Sequence, residues 1–291
     1  MRVTLLGTGC PSVDTDRFGP GLLVGGADVN LLVDCGSGVT QRLVAAGCPG
    51  THIDALLLTH LHSDHLVDLY QLIVSSWHAG RHRPQRVIGP PGTRAYVEGL
   101  MALWAPEREL RIVHERRPST AAFEIEVEEI AGGQTLAFGG MTVEVVRVDH
   151  RPVRDAFGFV FAEEGARVAV SGDTTYCMAL IEAARDADLL VHEVFIHSEL
   201  EVVPGVRTAE TIANVASYHT LSDVVGKVAA EANARCLMLT HFVPPRFDRR
   251  ALLAEVRESY LGPVLIGEDL MSFDTGDRSI SHDGAVLALG G

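Results

Sequence analysis

A dense cluster of ionisable side chains follows an apolar run in "LLLTHLHSDH", residues 56–65. His60 and His62 are two residues apart, so at the end of an extended strand they project to the same side. Asp64 and His65 follow at the turn into the next element. Imidazole and carboxylate groups together suit zinc and, less selectively, iron or manganese. The spacing H-x-H-x-D-H therefore predicts a metal site rather than a solvated polar turn.

Three more candidate ligands, His150, Asp173 and His241, also lie at the ends of apolar runs. The runs are "TVEVVRVDH", "RVAVSGDT" and "CLMLTH". A single His or Asp at such a place is more often a cap or a turn residue. Four such places with matching chemistry are hard to explain as accident. Seven ligands are too many for one tetrahedral zinc, and they suit two metals that share a carboxylate.

One physical division of the seven predicted ligands gives two sets of three and one bridging carboxylate. The sets are His60, His62 and His150 on the first metal, Asp64, His65 and His241 on the second, and Asp173 as the bridge. Two metals roughly 3.5–4 Å apart activate a bridging water to hydroxide and stabilise both the attacking and the leaving oxygen. We therefore expect a hydrolase with two Zn2+ ions, Mn2+ or Fe2+ being the alternatives, and a metal-bridging hydroxide as nucleophile.

Strands and helices that position these side chains alternate along the chain. Short runs rich in Val, Leu and Ile, bounded by Gly, Asp or Pro, are typical of strands. Helical spacing is predicted in seven segments: 37–46, 64–79, 93–103, 176–186, 207–216, 221–233 and 248–259. The pattern predicts an α/β fold with mixed sheets and helices on the outside. We expect a single domain over residues 1–291, built of two halves with a seam at "HERRPST", near 114–120.

The composition limits the classes of partner. With 24 basic and 38 acidic residues, the net charge is −14, which disfavours nucleic acid unless a local basic patch overrides it. Five cysteines are scattered singly, as in a protein with reduced thiols. The sequence contains no apolar stretch of the length that spans a membrane. We therefore expect a cytoplasmic protein without membrane contact.

The complete ligand pattern resembles that of the metallo-β-lactamase superfamily. The resemblance implies a four-layer αββα sandwich with a binuclear zinc site along the edge between two sheets. It covers essentially the whole chain, because "LLGTGCPSVDTDRFGPGLLV" and "VNLLVDCGSG" resemble that family's opening strands. Four further segments resemble the ribonuclease Z branch: "VDHRPVRDAFGFVF", "SGDTTYC", "LLVHEVFIHS" and "SYHTLSDVVGKVAAEANARCLMLTHF".

The same resemblance implies roles for two residues outside the ligand set. Glu193 and His219 correspond to a carboxylate–histidine pair near the leaving group, where a protonated imidazole assists a departing alkoxide. With Asp64 they are the predicted catalytic residues. Homodimers are common in the branch that this chain resembles, so a homodimer is also expected.

The expected substrate is a small-molecule ester: a phosphodiester, a sulfate ester, a carboxylic ester or a lactone. The ribonuclease Z family typically carries a protruding tRNA-binding arm between the third ligand histidine and the bridging aspartate. Here His150 and Asp173 are only 23 residues apart, which leaves no room for an arm. A tRNA 3′-end processing endonuclease is the first alternative, and a non-catalytic metal-binding protein the second. The loops 10–20 and 77–86 are candidates for substrate contact.

Overall fold

The computed structural model describes residues 1–289, which form sixteen strands and eight α-helices. The strands are β1 (Arg2–Gly7), β2 (Gly21–Gly25), β3 (Asn30–Val33), β4 (Ala55–Leu57), β5 (Gln85–Gly89), β6 (Ile125–Glu129), β7 (Thr135–Phe138), β8 (Met141–Arg147), β9 (Phe157–Glu163), β10 (Ala166–Val170), β11 (Leu189–Phe195), β12 (Leu237–Val243), β13 (Val264–Ile266), β14 (Ser272–Asp274), β15 (Ser279–His282) and β16 (Ala285–Ala288). The helices are α1 (Val39–Ala45), α2 (Leu69–His78), α3 (Thr93–Leu103), α4 (Ala105–Glu115), α5 (Met178–Ala183), α6 (Ala209–Ala216), α7 (Ser222–Glu231) and α8 (Arg249–Arg257).

The strands form two sheets of similar design. The first has the order β16-β15-β14-β1-β2-β3-β4-β5-β6, and the second has the order β13-β12-β11-β10-β9-β8-β7. Strands β1 to β3 and β7 to β10 are antiparallel, whereas β3 to β6 and β10 to β13 are parallel. Since parallel strands end at the same edge of a sheet, residues that follow β3 and β4, or β10 and β12, lie near one another.

Three apolar clusters hold the layers together. Buried side chains from both sheets, among them Leu31 and Phe159, fill the space between the sheets. Helices α1, α2 and α3 cover the outer face of the first sheet with residues such as Leu72. Helices α5, α7 and α8 cover the outer face of the second with residues such as Val225 and Leu252. This arrangement confirms the predicted four-layer αββα sandwich.

The helix expected over 64–79 begins five residues later than predicted. Residues Ser63–His65 form one turn of 3-10 helix, and Leu66 leaves the helical region with φ −147° before α2 starts at Leu69. The His65 side chain donates a hydrogen bond to Asp34, which follows the neighbouring strand, and this contact holds the turn apart from α2. The second half of the metal motif therefore lies on a single 3-10 turn and not on α2.

Helix α4 lies in a segment where no helix was predicted. It has no buried residue, so its sequence lacks the core-facing apolar positions by which most of the other helices were predicted. The predicted seam at 114–120 covers its last residues and the loop that follows. The chain then adds β6 to the first sheet before it crosses to β7 of the second. The two-half division stays a prediction. Over residues 1–289, every helix is too short or too polar to cross a membrane.

Candidate metal centre

The predicted ligands come together where strands of the two sheets end. His60 and the turn to His65 follow β4, His150 follows β8, Asp173 follows β10, and His241 lies within the last residues of β12. Ligand atoms of these residues fall into groups whose members all lie within 4.8 Å of one another. The groups are His60, His62, His150 and Asp173; Asp64, His65 and His241; and Asp173, His219 and His241. The structure thus brings together the residues of each expected set, and Asp173 lies close to both.

The second set has the dimensions of a tetrahedral metal site. Nε2 of His65 lies 3.3 Å from Nε2 of His241, 3.5 Å from Oδ2 of Asp64 and 3.4 Å from Oδ2 of Asp173. Nε2 of His241 lies 3.4 Å from each of the same two carboxylate oxygens. Four ligands at about 2.0–2.1 Å from a tetrahedral ion are separated by about 3.3–3.4 Å from one another. These four atoms therefore fit one divalent cation.

The first set is more open but has the same chemistry. Nε2 of His150 lies 3.2 Å from Nδ1 of His62 and 3.9 Å from Oδ2 of Asp173. Nε2 of His60 lies 4.0 Å from the same Asp173 oxygen. That nitrogen is buried and has no hydrogen-bond partner among residues 1–289. A buried imidazole nitrogen that has no hydrogen-bond partner and lies beside a carboxylate fits the role of a metal ligand. One oxygen of Asp173 faces both sets, as a bridging ligand must.

Asp34, which the sequence analysis missed, orients one histidine of each set. Its Oδ2 accepts hydrogen bonds from Nδ1 of His65 at 2.8 Å and from the Thr59 hydroxyl at 2.8 Å. The Thr59 oxygen in turn lies 3.0 Å from Nδ1 of His60 and accepts its proton. Both imidazoles thus carry the proton on Nδ1 and turn Nε2 towards the metal centre. Asp34 follows strand β3 directly, and Asp173 follows β10 after two residues, so a carboxylate just past an apolar run was the available signal.

His241 reaches the centre because β12 contains a bulge. Glu193 of β11 pairs with Thr240, and Val194 pairs with Phe242, so His241 is the extra residue between them. Its φ of 45° lies in the left-handed region, which residues other than glycine rarely adopt. A bulge re-aims the side chain of the inserted residue. Nothing in "CLMLTH" marks this bulge, although the same stretch predicts the ligand.

Gly172 lets the bridging aspartate approach the other strand ends. Its φ is +60°, and a Cβ there would lie 2.5 Å from the carbonyl oxygen of Phe157 and 3.1 Å from Cβ of Thr59. Only glycine fits both the left-handed conformation and this close approach. The turn that carries Asp173 therefore packs directly on the residue that positions His60.

Burial keeps three of the ligand histidines neutral. It lowers the pKa of His62 and His150, and it lowers the pKa of His60 well below 6.5 with help from the neighbouring imidazoles. His150 also donates from Nδ1 to the carbonyl oxygen of Tyr218 at 2.8 Å, which leaves Nε2 as the ligand atom. Neutral imidazole is the form that binds a metal.

The second set carries more charge. Burial opposes protonation of His65, but the carboxylates of Asp173 and Asp34 raise its pKa well above 6.5. Burial likewise disfavours the charged form of Asp173, yet His241 and His65 hold its pKa well below 3.8. A metal at Nε2 of His65 would take the place of the proton there, so that metal binding releases a proton.

Glu193 and His219 form a hydrogen-bonded pair beside the centre. Oε1 of Glu193 accepts from Nδ1 of His219 at 2.9 Å and from the backbone N–H of Thr174 at 3.0 Å. Burial disfavours the imidazolium, but the Glu193 carboxylate raises the pKa of His219 to about 9. His219 Nδ1 lies 4.0 Å from Oδ2 of Asp173, so it is near the metal ligands while its proton is held by Glu193. The pair therefore places a protonated imidazole beside the metal ligands.

Two hollows flank the metal centre, and loop 10–20 lines both. One, of about 300 Å³, is lined by Asp64 and by residues of the loop from Cys10 to Gly19. The other, of about 510 Å³, has His219 in its wall and also contacts the start of the same loop. The expectation that loop 10–20 lies at the cleft agrees with this geometry.

The segment 77–86 lies elsewhere. Trp77 is 1% exposed, packs on Phe123 and donates from Nε1 to the Ser119 carbonyl oxygen at 2.8 Å. The Arg81 guanidinium is buried and donates to the carbonyl oxygens of Gly50 and Ile53. The segment begins with the last two residues of α2. The metal motif precedes the first residue of that helix, so the helix separates the two by about 12 Å. The Trp77 ring belongs to the core, so this residue of the candidate segment does not contact substrate.

The family model described as "Beta-lactamase superfamily domain" matches residues 29–242. The chain belongs to the β-lactamase superfamily. A protein named ribonuclease Z from Mycobacterium bovis (strain BCG / Pasteur 1173P2) is 37% identical over 278 residues, which cover 93% of this chain and 96% of that protein. Another ribonuclease Z, from Mycobacterium sp. (strain KMS), is 39% identical over 247 residues, which cover 84% of this chain and 85% of that protein. These relatives confirm the resemblance to the ribonuclease Z branch.

Solved structures agree on the fold. The metallo-β-lactamase fold protein YhfI from Bacillus subtilis superposes with a TM-score of 0.74 at 22% identity, covering 94% of this chain and 99% of that one. The short form of human tRNase Z superposes with a TM-score of 0.71 at 21% identity, again covering 94% and 99%. Together with the donor set, the superfamily membership identifies a metal-dependent hydrolase that uses a divalent metal.

The expectation of a small-molecule ester as substrate and partner is wrong. Relatives that match this chain over nearly their whole length are named ribonuclease Z, and their lengths are close to that of this chain. The 23-residue spacing of His150 and Asp173 is therefore not a sufficient reason to exclude that family. The net charge of −14 is a property of the whole surface, whereas recognition of a substrate depends on the local field of the cleft.

Proposed function

We propose that this protein is a metal-dependent endonuclease that hydrolyses a phosphodiester bond in RNA, with precursor tRNA as substrate and its 3′ end as the place of cleavage. The supporting observation is the joint occurrence of a two-set ligand cluster and a buried His219–Glu193 pair in a chain 37% identical to ribonuclease Z over 93% of its length. A phosphodiester was among the expected ester classes. The substrate is a macromolecule instead of a small ester.

Two Zn2+ ions are the proposed cofactor, held by the seven predicted ligands with Asp173 between the sets. Imidazole and carboxylate ligands in a tetrahedral arrangement favour zinc over magnesium or calcium, which prefer oxygen alone. When bound, the ions supply Lewis-acid stabilisation to the phosphate and lower the pKa of water at the site. Asp64 is proposed to act as a ligand whose charge also contributes to catalysis.

The protein's own proton donor is proposed to be His219. Hydrolysis joins a water oxygen to phosphorus and breaks the bond from phosphorus to the leaving ribose oxygen, which is a strong base and needs a proton. Nδ1 of His219 is bound to Glu193, and Nε2 has no partner among residues 1–289. His219 also lines the larger hollow, where a leaving group has room. Nε2–H can therefore pass its proton to that oxygen.

The test is a substrate comparison with the metal-loaded protein. We expect cleavage of a precursor tRNA with a 3′ trailer, and no comparable turnover of p-nitrophenyl sulfate, p-nitrophenyl acetate or a lactone. The Asp64→Asn variant should lose cleavage, whereas Asp16→Asn, an exposed carboxylate on loop 10–20, should retain it. Turnover of a sulfate or carboxylic ester without cleavage of any RNA would refute the proposal.

A further inference from the structure

The larger hollow beside His219 is a cavity with an apolar lining and a polar side formed by that histidine. It holds about 510 Å³, which lies within the usual size range of small-ligand sites. Apolar and aromatic side chains, among them Ile212, Val215, Tyr218 and Pro244, form most of its lining. His219 occupies the side towards the metal centre. The hollow is thus continuous with the place where the scissile bond would lie.

Helix α6 supplies one wall although it contributes nothing to the core. None of its residues is buried, and its capping box of Thr208 and Thr211 fixes where it starts. Ile212 and Val215 are three residues apart, so they share one face of the helix. Both line the hollow. An amphipathic helix normally buries such a face in the core, and here that face lines a cavity.

Arg207 is the free cation at this hollow. Its Nε donates to the carbonyl oxygen of Glu201 at 2.9 Å, and within residues 1–289 its two terminal nitrogens have neither a carboxylate nor any other acceptor in range. Arg17, which lines the neighbouring hollow, is engaged instead. It donates from Nη1 to the Thr8 hydroxyl at 2.6 Å and to the Gly267 carbonyl oxygen at 2.8 Å. In a chain of net charge −14, an unpaired guanidinium in a cleft is the group suited to a phosphate.

We infer that this hollow binds the nucleoside on the leaving-group side of the scissile phosphate, and that Arg207 binds the phosphate next to that nucleoside. The inference rests on the proposed function and adds a subsite to it. His219 fixes the side, because the group that protonates the leaving oxygen must adjoin the nucleoside that carries it. The apolar and aromatic lining offers contact to the face of a base, and such contact tolerates any base. The hollow at Asp64 shares Cys10 and Pro11 with this one, but neither His219 nor Arg207 lines it.

Direct binding tests the subsite without relying on turnover. The probes are adenosine 5′-monophosphate and its 3′ isomer, titrated calorimetrically into the metal-loaded protein, with inorganic phosphate as the reference for binding at the metals alone. We expect Arg207→Ala to raise the Kd of the better nucleotide about tenfold, with Arg207→Lys between it and the parent protein. Val215→Glu places a negative charge in the hollow and should weaken binding by more than tenfold. None of these three variants should change the Kd of phosphate.

Asn214→Glu is the matched control. It adds the same charge to the same exposed helix, at a residue that does not line the hollow, and should leave nucleotide binding within about twofold. Equal nucleotide binding by parent, Arg207→Ala and Val215→Glu proteins would overturn the subsite, even if precursor tRNA is cleaved. If nucleotide binding depends on Arg207 but no RNA is cleaved, the subsite stands and the proposed function falls. Should Val215→Glu fail to fold, Arg207→Ala decides, since Arg207 lies outside the core.

Discussion

Oε1 of Glu193 lies 2.9 Å from Nδ1 of His219 and accepts its proton, so a buried carboxylate fixes both the orientation and the charge of an imidazole next to the metal ligands. Glu193 lies within β11, in which every residue is buried, and this carboxylate is therefore as firmly placed as the core around it. His219 lies just before α7, on a segment of its own. The hydrogen bond therefore connects strand β11 to the segment before α7, and neither of them carries a predicted metal ligand.

The His219–Glu193 pair predicts a dependence on the leaving group. His219→Ala should lower kcat on RNA by about 10²–10⁴-fold, the usual contribution of a general acid. On bis(p-nitrophenyl) phosphate, whose leaving group needs no proton, the same variant should change kcat by less than about fivefold. Glu193→Gln acts through His219, so the double variant should be no slower on RNA than His219→Ala alone. Equal losses on both substrates would contradict the role of proton donor.

The Asp34 carboxylate predicts a shared effect on both halves of the metal centre. Asp34→Ala removes the acceptor for His65 directly and for His60 through Thr59, and we expect affinity for both metals to fall by about 10–100-fold. Competition with a chromogenic chelator measures both affinities. Asp54→Ala is the control, because Asp54 precedes β4, whereas Thr59 and His60 follow it. Loss of one metal only would show that Thr59 does not connect the two histidines.

Two substitutions at His241 should have the same effect on metal binding but different effects on stability, because the residue is both a ligand and a strained position in a bulge. His241→Ala and His241→Gly both remove a ligand of the second set, so each should bind one metal per chain instead of two by elemental analysis. With φ at 45°, alanine keeps the left-handed strain and glycine relieves it. In urea unfolding of the metal-free proteins, the glycine variant should be more stable by about 0.5–1 kcal/mol. Equal stabilities would mean that the bulge relaxes once the imidazole is gone.

Loss of the buried Arg17 should lower the stability of the protein more than loss of the exposed Arg246. Arg17 donates hydrogen bonds to Thr8, Pro245 and Gly267. Its guanidinium carbon lies over the Phe242 ring, 4.4 Å from the ring centroid. Arg17→Met leaves these buried acceptors without a donor and should lower the free energy of unfolding by about 2–4 kcal/mol.

The contrast is Arg246→Ala. The Arg246 side chain is 73% exposed and pairs with Asp14, so its loss should cost less than about 1 kcal/mol. Chemical unfolding of both variants with metal bound measures the two effects. A loss of similar size for both would argue against Arg17 as the residue that holds loop 10–20 to the loop after β12.

The ligands themselves were predictable because each is a charged or polar residue at the end of an apolar run. The change from apolar to ionisable residues at such a place is visible in the linear sequence. Asp34 escaped notice because its function depends on β3 lying beside β4, a pairing that becomes visible only in the fold. The same holds for the bulge at His241, which is defined by its partner strand. Arg207 was hidden for another reason, since its significance is the lack of an acidic neighbour, a property of three-dimensional surroundings. The expected homodimer and cytoplasmic location stay predictions.

Strand β1 lies between β2, which follows it directly, and β14, whose first residue is Ser272. The Thr4 hydroxyl lies 2.8 Å from that of Ser272, across 268 positions of sequence. During synthesis, one side of β1 therefore waits for a strand 268 positions later, and the loop that follows β1, with Cys10 and Pro11 at the cleft, waits with it. The ribosome must deliver β14 before this loop has its final support. The metal centre likewise cannot be complete until His241 of β12 has been made, although its first histidines are made early.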